Sequence, residues 1–370
     1  MRKIRVLHII KSLGRGGAEM LLPETLAIHD QNKFEFHFIY FLPWKDQMVS
    51  EIEKKGGKVQ CLQAKNNFQL IAKFPQIIKY CNSNEIDVIH CHLPWAGFVG
   101  RIVHQQTKIP MIYTEHNMQE RYHPVTKILN KRSFNFQSLA VGVSQDVSDS
   151  IEKNIKPQIP VKTILNGVNT DKFVRNYNDS AIRKEYGISD DALVVGLVSV
   201  FRFQKRIKIW IKILMAFMAN SEREVYGLIV GAGPLEDEIR QEVVNCNLKD
   251  KIIMPGLQEQ TKPYFNAMDI FMMSSSFEGL PIALLEAMSM ECAIVTTNAG
   301  GIKEVIRDDK DGFMVDVENW MELSEKLVLL SEDSEKLNDL QKAARERVVS
   351  EFSLKSMVKN LEENYSELTL

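Results

Sequence analysis

At 370 residues, 45% hydrophobic and 25% charged, the chain is expected to fold as about two globular domains rather than remain disordered. No apolar stretch approaches the roughly 20 residues of a membrane span, and the five scattered cysteines lack metal-type spacing, so a reducing, cytoplasmic setting is expected. The net charge of −2 conceals +8 over residues 1–165 (22 Lys and Arg, 14 Asp and Glu) and −10 over the rest (24 and 34); a basic first half suits an anionic acceptor or peripheral contact with a membrane, or is surface charge that drifts between domains without purpose.

Ile4–Ile10 reads as a buried strand, and its apolar run is too short for a secretory leader. Gly14-Arg15-Gly16-Gly17 follows, before a helix expected from about Ala18 to His29. A glycine-rich turn between strand and helix is a phosphate cradle in principle, because bare amides and a helix start face the ligand. The third glycine of a dinucleotide fingerprint is missing, however. The next strand, Phe36–Tyr40, also ends in Phe41-Leu42 rather than a ribose-binding acid, which argues against a dehydrogenase.

Further strands are expected at Lys58–Leu62, Val88–Cys91 and Met111–Thr114, with helices between them such as Leu70–Cys81, a doubly wound pattern. His90 and His92 share one strand face while Cys91 points away, and no further ligands stand at suitable spacing, so no metal site is expected. His116 lies just past a strand, on the side where ligands gather in such sheets. The segment Gln119–Ser138 is rich in Arg, Lys, His and aromatics. It suits a phosphate-linked or lipid-linked acceptor, a membrane surface, or merely a solvated helix face. Nucleic acid is not expected, since the rest of the chain carries no matching basic stripe.

Ala140–Ser144 is expected as a last strand of this half, with Ser144 capping a helix. After Ile164-Leu165-Asn166-Gly167-Val168-Asn169, the polar stretch Thr170–Ser180 marks a domain boundary. Leu193–Val200 opens the second half. Arg202, Lys205 and Arg206 follow, ahead of an amphipathic helix at Lys208–Asn220. Cations at a strand end suit a pyrophosphate and stabilise its departing charge without a metal. Tyr226–Val230 ends in the turn Gly231-Ala232-Gly233-Pro234, and Ile252–Met254 runs into Pro255-Gly256.

Asp269–Val305 carries most of the chemistry. A buried strand, Asp269–Ser274, leads through the polar loop Ser275–Gly279 to Pro281, which suits the start of a helix at Ile282–Met290. The strand Ala293–Thr297, the turn Asn298-Ala299-Gly300-Gly301 and a helix at Ile302–Ile306 follow. Glu278 sits in the loop and Glu286 two helical turns on, so both are expected on one side of a crevice. An acid within an apolar helix needs hydrogen-bond donors, which sugar hydroxyls supply, although a cap or internal salt bridge would also serve. Gly279 offers backbone that a ligand approaches closely.

Phe277-Glu278-Gly279-Leu280-Pro281 with Glu286 resembles the paired-glutamate motif of retaining glycosyltransferases of the GT-B fold, family 4. Gly14-Arg15-Gly16-Gly17-Ala18-Glu19 is similar to that family's GxGGAE loop, and Asn166–Asn169 with Asp171 and Phe173 to its interdomain hinge. His116 matches the strand-end histidine that contacts the transferred sugar, and Lys205 the family lysine. The partner arginine, five places before that lysine in the family, is Val200 here, with Arg202 the nearest substitute.

The resemblance implies two Rossmann-like domains facing across a cleft: 1–170 on the acceptor side, 171–352 binding the nucleotide sugar, and 353–370 as a helix crossing back. It implies a hexose-type sugar moved with retention from a nucleotide-diphosphate donor to a saccharide or lipid-linked acceptor, in cell-surface polysaccharide synthesis. UDP is expected ahead of GDP, with no separate cofactor and no metal. His116 and Glu278 would be catalytic; Gly16, Gly17, Arg202, Lys205, Glu278, Gly279, Leu280 and Glu286 would bind the donor. Two alternatives stay open: an inactive nucleotide-sugar-binding subunit of an assembly complex, and a nucleotide-sugar epimerase.

Overall fold

The computed structural model describes residues 2–369, which separate by their contacts into two units. One comprises the chain up to Asn166 together with the stretch from Leu354 onward; the other is Gly167–Ser353.

The first unit is built on a parallel sheet of seven strands: β1 (Ile4–Ile9), β2 (Phe34–Tyr40), β3 (Lys58–Cys61), β4 (Val88–His92), β5 (Met111–Glu115), β6 (Leu139–Gly142) and β7 (Val161–Thr163). They lie in the order β3-β2-β1-β4-β5-β6-β7. Alternation along each strand feeds two separate cores. Leu7, Ile9, Ile89, Cys91 and Tyr113 enter one, and Val6, Val88, Ile112 and Val141 the other. Covering both faces is what makes these strands continuous apolar runs rather than alternating ones. The C-terminal helix, Leu354–Glu367, buries Leu354, Val358, Leu361 and Tyr365 at helical spacing, and Leu361 and Tyr365 join the second core.

The expected helix over Leu70–Cys81 is in fact two, Asn67–Ile71 and Phe74–Ser83. Asn66 caps the first by accepting from the Gln69 amide at 2.9 Å. Pro75 belongs in the first turn of the second, where its missing N–H costs nothing. Ser144 does cap a helix, Gln145–Ile155, accepting from the Val147 amide at 3.2 Å, so β6 ends before it.

The second unit has six parallel strands: β8 (Leu193–Val198), β9 (Val225–Val230), β10 (Ile252–Gly256), β11 (Ile270–Met273), β12 (Ala293–Thr297) and β13 (Phe313–Val315). Their order is β10-β9-β8-β11-β12-β13. Chain direction across the sheet reverses between β8 and β11, and in the first unit between β1 and β4. A doubly wound sheet opens a crevice at such a reversal, because successive crossovers leave to opposite faces. β13 and the helix Glu236–Asn245 are short or weakly periodic and were not expected from the sequence.

Candidate functional site

In the second unit, the loops after β8 and β11 meet at the reversal point and are stapled together. Ser276 N donates to Gln204 O at 2.8 Å, and Ser274 Oγ donates to Lys205 O and Arg206 O at 3.2 and 3.1 Å. Arg206 donates through Nε to Ser274 O at 2.6 Å and through Nη2 to Val317 O at 3.0 Å. Its guanidinium is thus committed to backbone carbonyls and holds the loop, rather than joining the ligand cations that the sequence grouped it with.

The same stapling brings Lys205 Nζ to 2.6 Å from Glu278 Oε1, and Ser275 Oγ donates to that oxygen at 2.6 Å. The pair is only 17% and 10% exposed. Charges so withdrawn from water are stable only while matched. Arg202, by contrast, is exposed, and its side chain makes no hydrogen bond or ion pair among the described residues. Leu280 is buried, and Glu286 is 7% exposed on the helix Ile282–Ser289.

Two glycine turns complete the rim. Gly231 has φ of +134°, and a Cβ there would lie 1.9 Å from Ser199 O, so the turn after β9 presses against the end of β8. At Gly300, φ +65°, a Cβ would lie 2.2 Å from Glu278 O, so the turn after β12 backs the Glu278 loop. Only glycine permits either approach. Ser199 Oγ and Gln204 Oε1 are buried there without a hydrogen-bond partner among the described residues. Orphaned polar atoms are rare enough in folded proteins that a cluster marks where a ligand would supply the partners. Motif reading could not find them, since burial without a partner shows only in the folded chain.

In the first unit the reversal point carries imidazoles. β1 and β4 pair with His8 opposite His90, so both share a face with His92 two residues on. His8 Nδ1 lies 2.9 Å from His92 Nε2, and His92 Nδ1 lies 3.4 Å from His116 Nε2. His90 is engaged at both nitrogens, by Tyr365 OH and Thr114 Oγ1, each at 2.7 Å. Burial lowers the pKa of His90 to about 3 and of His116 to about 4, and pushes His8 and His92 well below the usual histidine value.

All four rings are therefore neutral near pH 7, and neutral rings share protons along His8–His92–His116 in only two ways. One leaves the His116 proton on Nδ1, the other on Nε2. His8, His90 and His92 also offer nitrogens within 4.8 Å of one another, close enough for a metal ion. Sequence spacing offers His90, Cys91 and His92 and no further ligand, whereas strand register adds His8 as a third nitrogen; a ligand role for His90 would break one of its two hydroxyl bonds. A cavity of about 20 Å³, room for about one water, lies among His8, His90, His92 and His116, closed by Met357 and Leu361 of the C-terminal helix.

His116 is positioned through Glu115. That buried carboxylate accepts from the amides of His116 and Asn117 at 3.0 and 3.2 Å, from Tyr113 OH and Gln119 Nε2 at 2.7 and 2.6 Å, and from Tyr122 OH. Burial pushes its pKa up, against these donors. At the glycine loop, Gly16 precedes the helix Gly17–Leu26, but the Glu19 carboxylate lies over it: a Cβ on Gly16 would come 2.3 Å from Glu19 Oε2. An anion already faces this helix start, so a phosphate would have to displace Glu19. A larger depression of about 620 Å³ elsewhere is lined by Glu325, Glu332, Asp333 and Glu335, whose charge disfavours a diphosphate.

Residues 16–172 match Glycosyltransferase Family 4, and residues 178–347 match Glycosyl transferases group 1. The N-acetyl-alpha-D-glucosaminyl L-malate synthase of Bacillus anthracis is 25% identical over 62% of this chain, which spans 60% of that protein. The UDP-Gal:alpha-D-GlcNAc-diphosphoundecaprenol alpha-1,3-galactosyltransferase of Escherichia coli is 23% identical over 100% of this chain and 98% of its own length. Among solved structures, Anabaena Alr3699/HepE in complex with UDP and glucose superposes with a TM-score of 0.87 at 20% identity, covering 98% of this chain and 100% of that one. Each sheet is the Rossmann-like half of a GT-B fold. With its two halves matching the two parts of one family, the chain belongs to the group 1, family 4 glycosyltransferases.

Proposed function

We propose that the chain moves a hexose-type sugar, with retention of configuration, from a nucleoside-diphosphate donor to a saccharide or lipid-linked acceptor in polysaccharide synthesis. The observation that carries this reading is the Lys205–Glu278 pair at the reversal point of the second sheet, beside the orphaned Ser199 and Gln204 atoms. A relative matched over its whole length takes its sugar from UDP and adds it to a diphosphoundecaprenol-linked acceptor, and a structural neighbour holds UDP and glucose. Both favour UDP here, and the first favours a lipid-linked acceptor.

In this reading Lys205 and Arg202 meet the donor diphosphate, and Glu286 accepts from ribose hydroxyls. Once the ammonium is drawn to phosphate, Glu278 is left to accept from the sugar's hydroxyls, beside the Gly279 and Leu280 amides. Gly16 and Gly17 approach the phosphates after Glu19 turns aside. The bond from the anomeric carbon to the phosphate oxygen breaks, and a bond to the acceptor oxygen forms on the same face. The acceptor's proton passes to the departing phosphate. Developing charge is met by the Lys205 ammonium and the Arg202 guanidinium, so no step is assigned to a metal. His116, neutral and with its proton on Nδ1, donates a hydrogen bond to the transferred sugar.

The test incubates wild type and Glu286→Ala with UDP- and GDP-sugars, following nucleotide release and the product anomer by NMR. Loss of a charged acceptor for two hydroxyls is expected to lower donor turnover by about 10- to 100-fold. Equal background in both would favour a binding subunit. Epimerised donor without acceptor would favour an epimerase, and an inverted product would overturn retention.

A further inference from the structure

The helix Pro124–Ser133 is turned the wrong way round for a surface helix. It buries Thr126 and Asn130, while Val125, Ile128 and Leu129 are 54%, 52% and 41% exposed, and Phe136 just beyond it is 50% exposed. This orientation is locked by hydrogen bonds on the buried side. Arg101 Nη1 donates to Asn130 Oδ1 and Ser133 Oγ, both at 2.8 Å, and Arg101 Nε donates to Gln137 Oε1 at 2.9 Å. Asn130 Nδ2 donates to Gln119 Oε1 at 2.8 Å. Rolling the helix to hide its apolar side would strand these buried polar groups, each costly to leave unpaired. Isolated exposed apolar residues need no explanation, but four held outward together by a buried polar network do.

The charge around them has one sign. From Arg121 through Gln145 there are four Lys or Arg and no Asp or Glu. At about 100° per residue, Arg132 falls within the Val125–Ile128–Leu129 stripe and Lys131 borders it, both exposed, while Lys127 lies towards the buried side. The neighbouring Glu120 is turned away, accepting from Ser150 Oγ and Asn154 Nδ2. A long cationic side chain amid short apolar ones suits a place where aliphatic stems are buried and the head stays among polar groups.

We propose that this face docks on an anionic lipid bilayer, with Val125, Ile128, Leu129 and Phe136 entering the headgroup boundary and Lys131 and Arg132 meeting lipid phosphates. Charge complementarity selects this occupant. A second copy meeting the same face across a twofold axis would set basic residues against basic residues. Docking stands independently of the transfer reading, since it needs no donor. It would also reach the loop of His116, because Gln119, which receives Asn130, donates in turn to the Glu115 carboxylate that holds the His116 amide.

The test is flotation of the full chain with phosphatidylcholine vesicles, with and without phosphatidylglycerol, at low and high salt. Wild type is expected to float only with the anionic vesicles, and less as salt rises. The exposed pair Lys131→Gln/Arg132→Gln should bind about 30-fold more weakly, and Ile128→Gln/Leu129→Gln at least about tenfold more weakly. Both should keep the wild-type circular dichroism spectrum. No flotation of wild type at low salt would overturn the proposal, as would equal flotation of both variants. A wild-type dimer that the variants lose, without vesicle binding, would assign the face to self-association instead.

Discussion

Lys205→Ala is expected to lower kcat/KM for the nucleotide-sugar donor by roughly 100- to 1,000-fold, the usual cost of removing a preorganised group from developing phosphate charge. The ammonium lies 2.6 Å from Glu278 Oε1 in the ligand-free chain. Its removal acts twice, taking away the diphosphate's cation and leaving a carboxylate that is 10% exposed with only the Ser275 hydroxyl still donating to it among the described residues. The second effect should cost the second unit about 1–3 kcal/mol of stability, read from its thermal transition. Lys205→Arg should not restore activity fully, because a planar fork does not reproduce a point charge on a flexible stem. Donor kinetics within about threefold of wild type in Lys205→Ala would remove Lys205 from the site.

Acidification should separate the two units. All eight histidines precede residue 124, so none lies in the second unit. His90 and His116 titrate at about 3 and about 4 when folded, and His8 and His92 are likewise pushed down, chiefly by burial. Unfolded, these rings regain the ordinary value of about 6.5. Below that pH the unfolded chain binds more protons than the folded one, so stability falls as pH drops from about 6.5 towards 4. At pH about 5 His90 and His116 each favour unfolding by about 2 kcal/mol, and His8 and His92 act in the same direction. Glu115, raised by burial, works in the opposite direction but is a single group.

The ring network also pins the C-terminal helix, through Tyr365 OH on His90 and through Glu362, which lies 2.9 Å from His29. Calorimetry is therefore expected to show the first unit's transition moving down by at least about 10 °C between pH 7 and 5, with the second unit's nearly fixed. Equal movement of both transitions would contradict the histidine account.

The paired-glutamate segment was legible because its chemistry is local: a strand, a loop, a helix start and an acid two turns on lie within a short run of chain. Lys205 was legible for the same reason, as a cation just past a strand. Their pairing across the reversal point was not, since it depends on Ser274 and Arg206 stapling two loops about seventy residues apart. His8 was missed because one histidine in a buried strand says nothing until strand register sets it beside His90. Tyr365 is 275 residues from its partner. Arg206 looked like a ligand cation because sequence shows charge but not the carbonyls that absorb it. The phosphate cradle at Gly16 was read from glycine spacing, and the folded position of Glu19 qualifies it.

Calorimetric titration of the full chain with UDP, GDP and ADP tests the central claim most directly, namely that the crevice between β8 and β11 grips a nucleoside diphosphate. The account expects one of the three, UDP foremost, to bind wild type, and Lys205→Ala and Glu286→Ala each to weaken it by at least about tenfold. If none binds, or if the variants bind as tightly as wild type, the nucleotide does not sit at the loops that pair Lys205 with Glu278 or at the helix that carries Glu286.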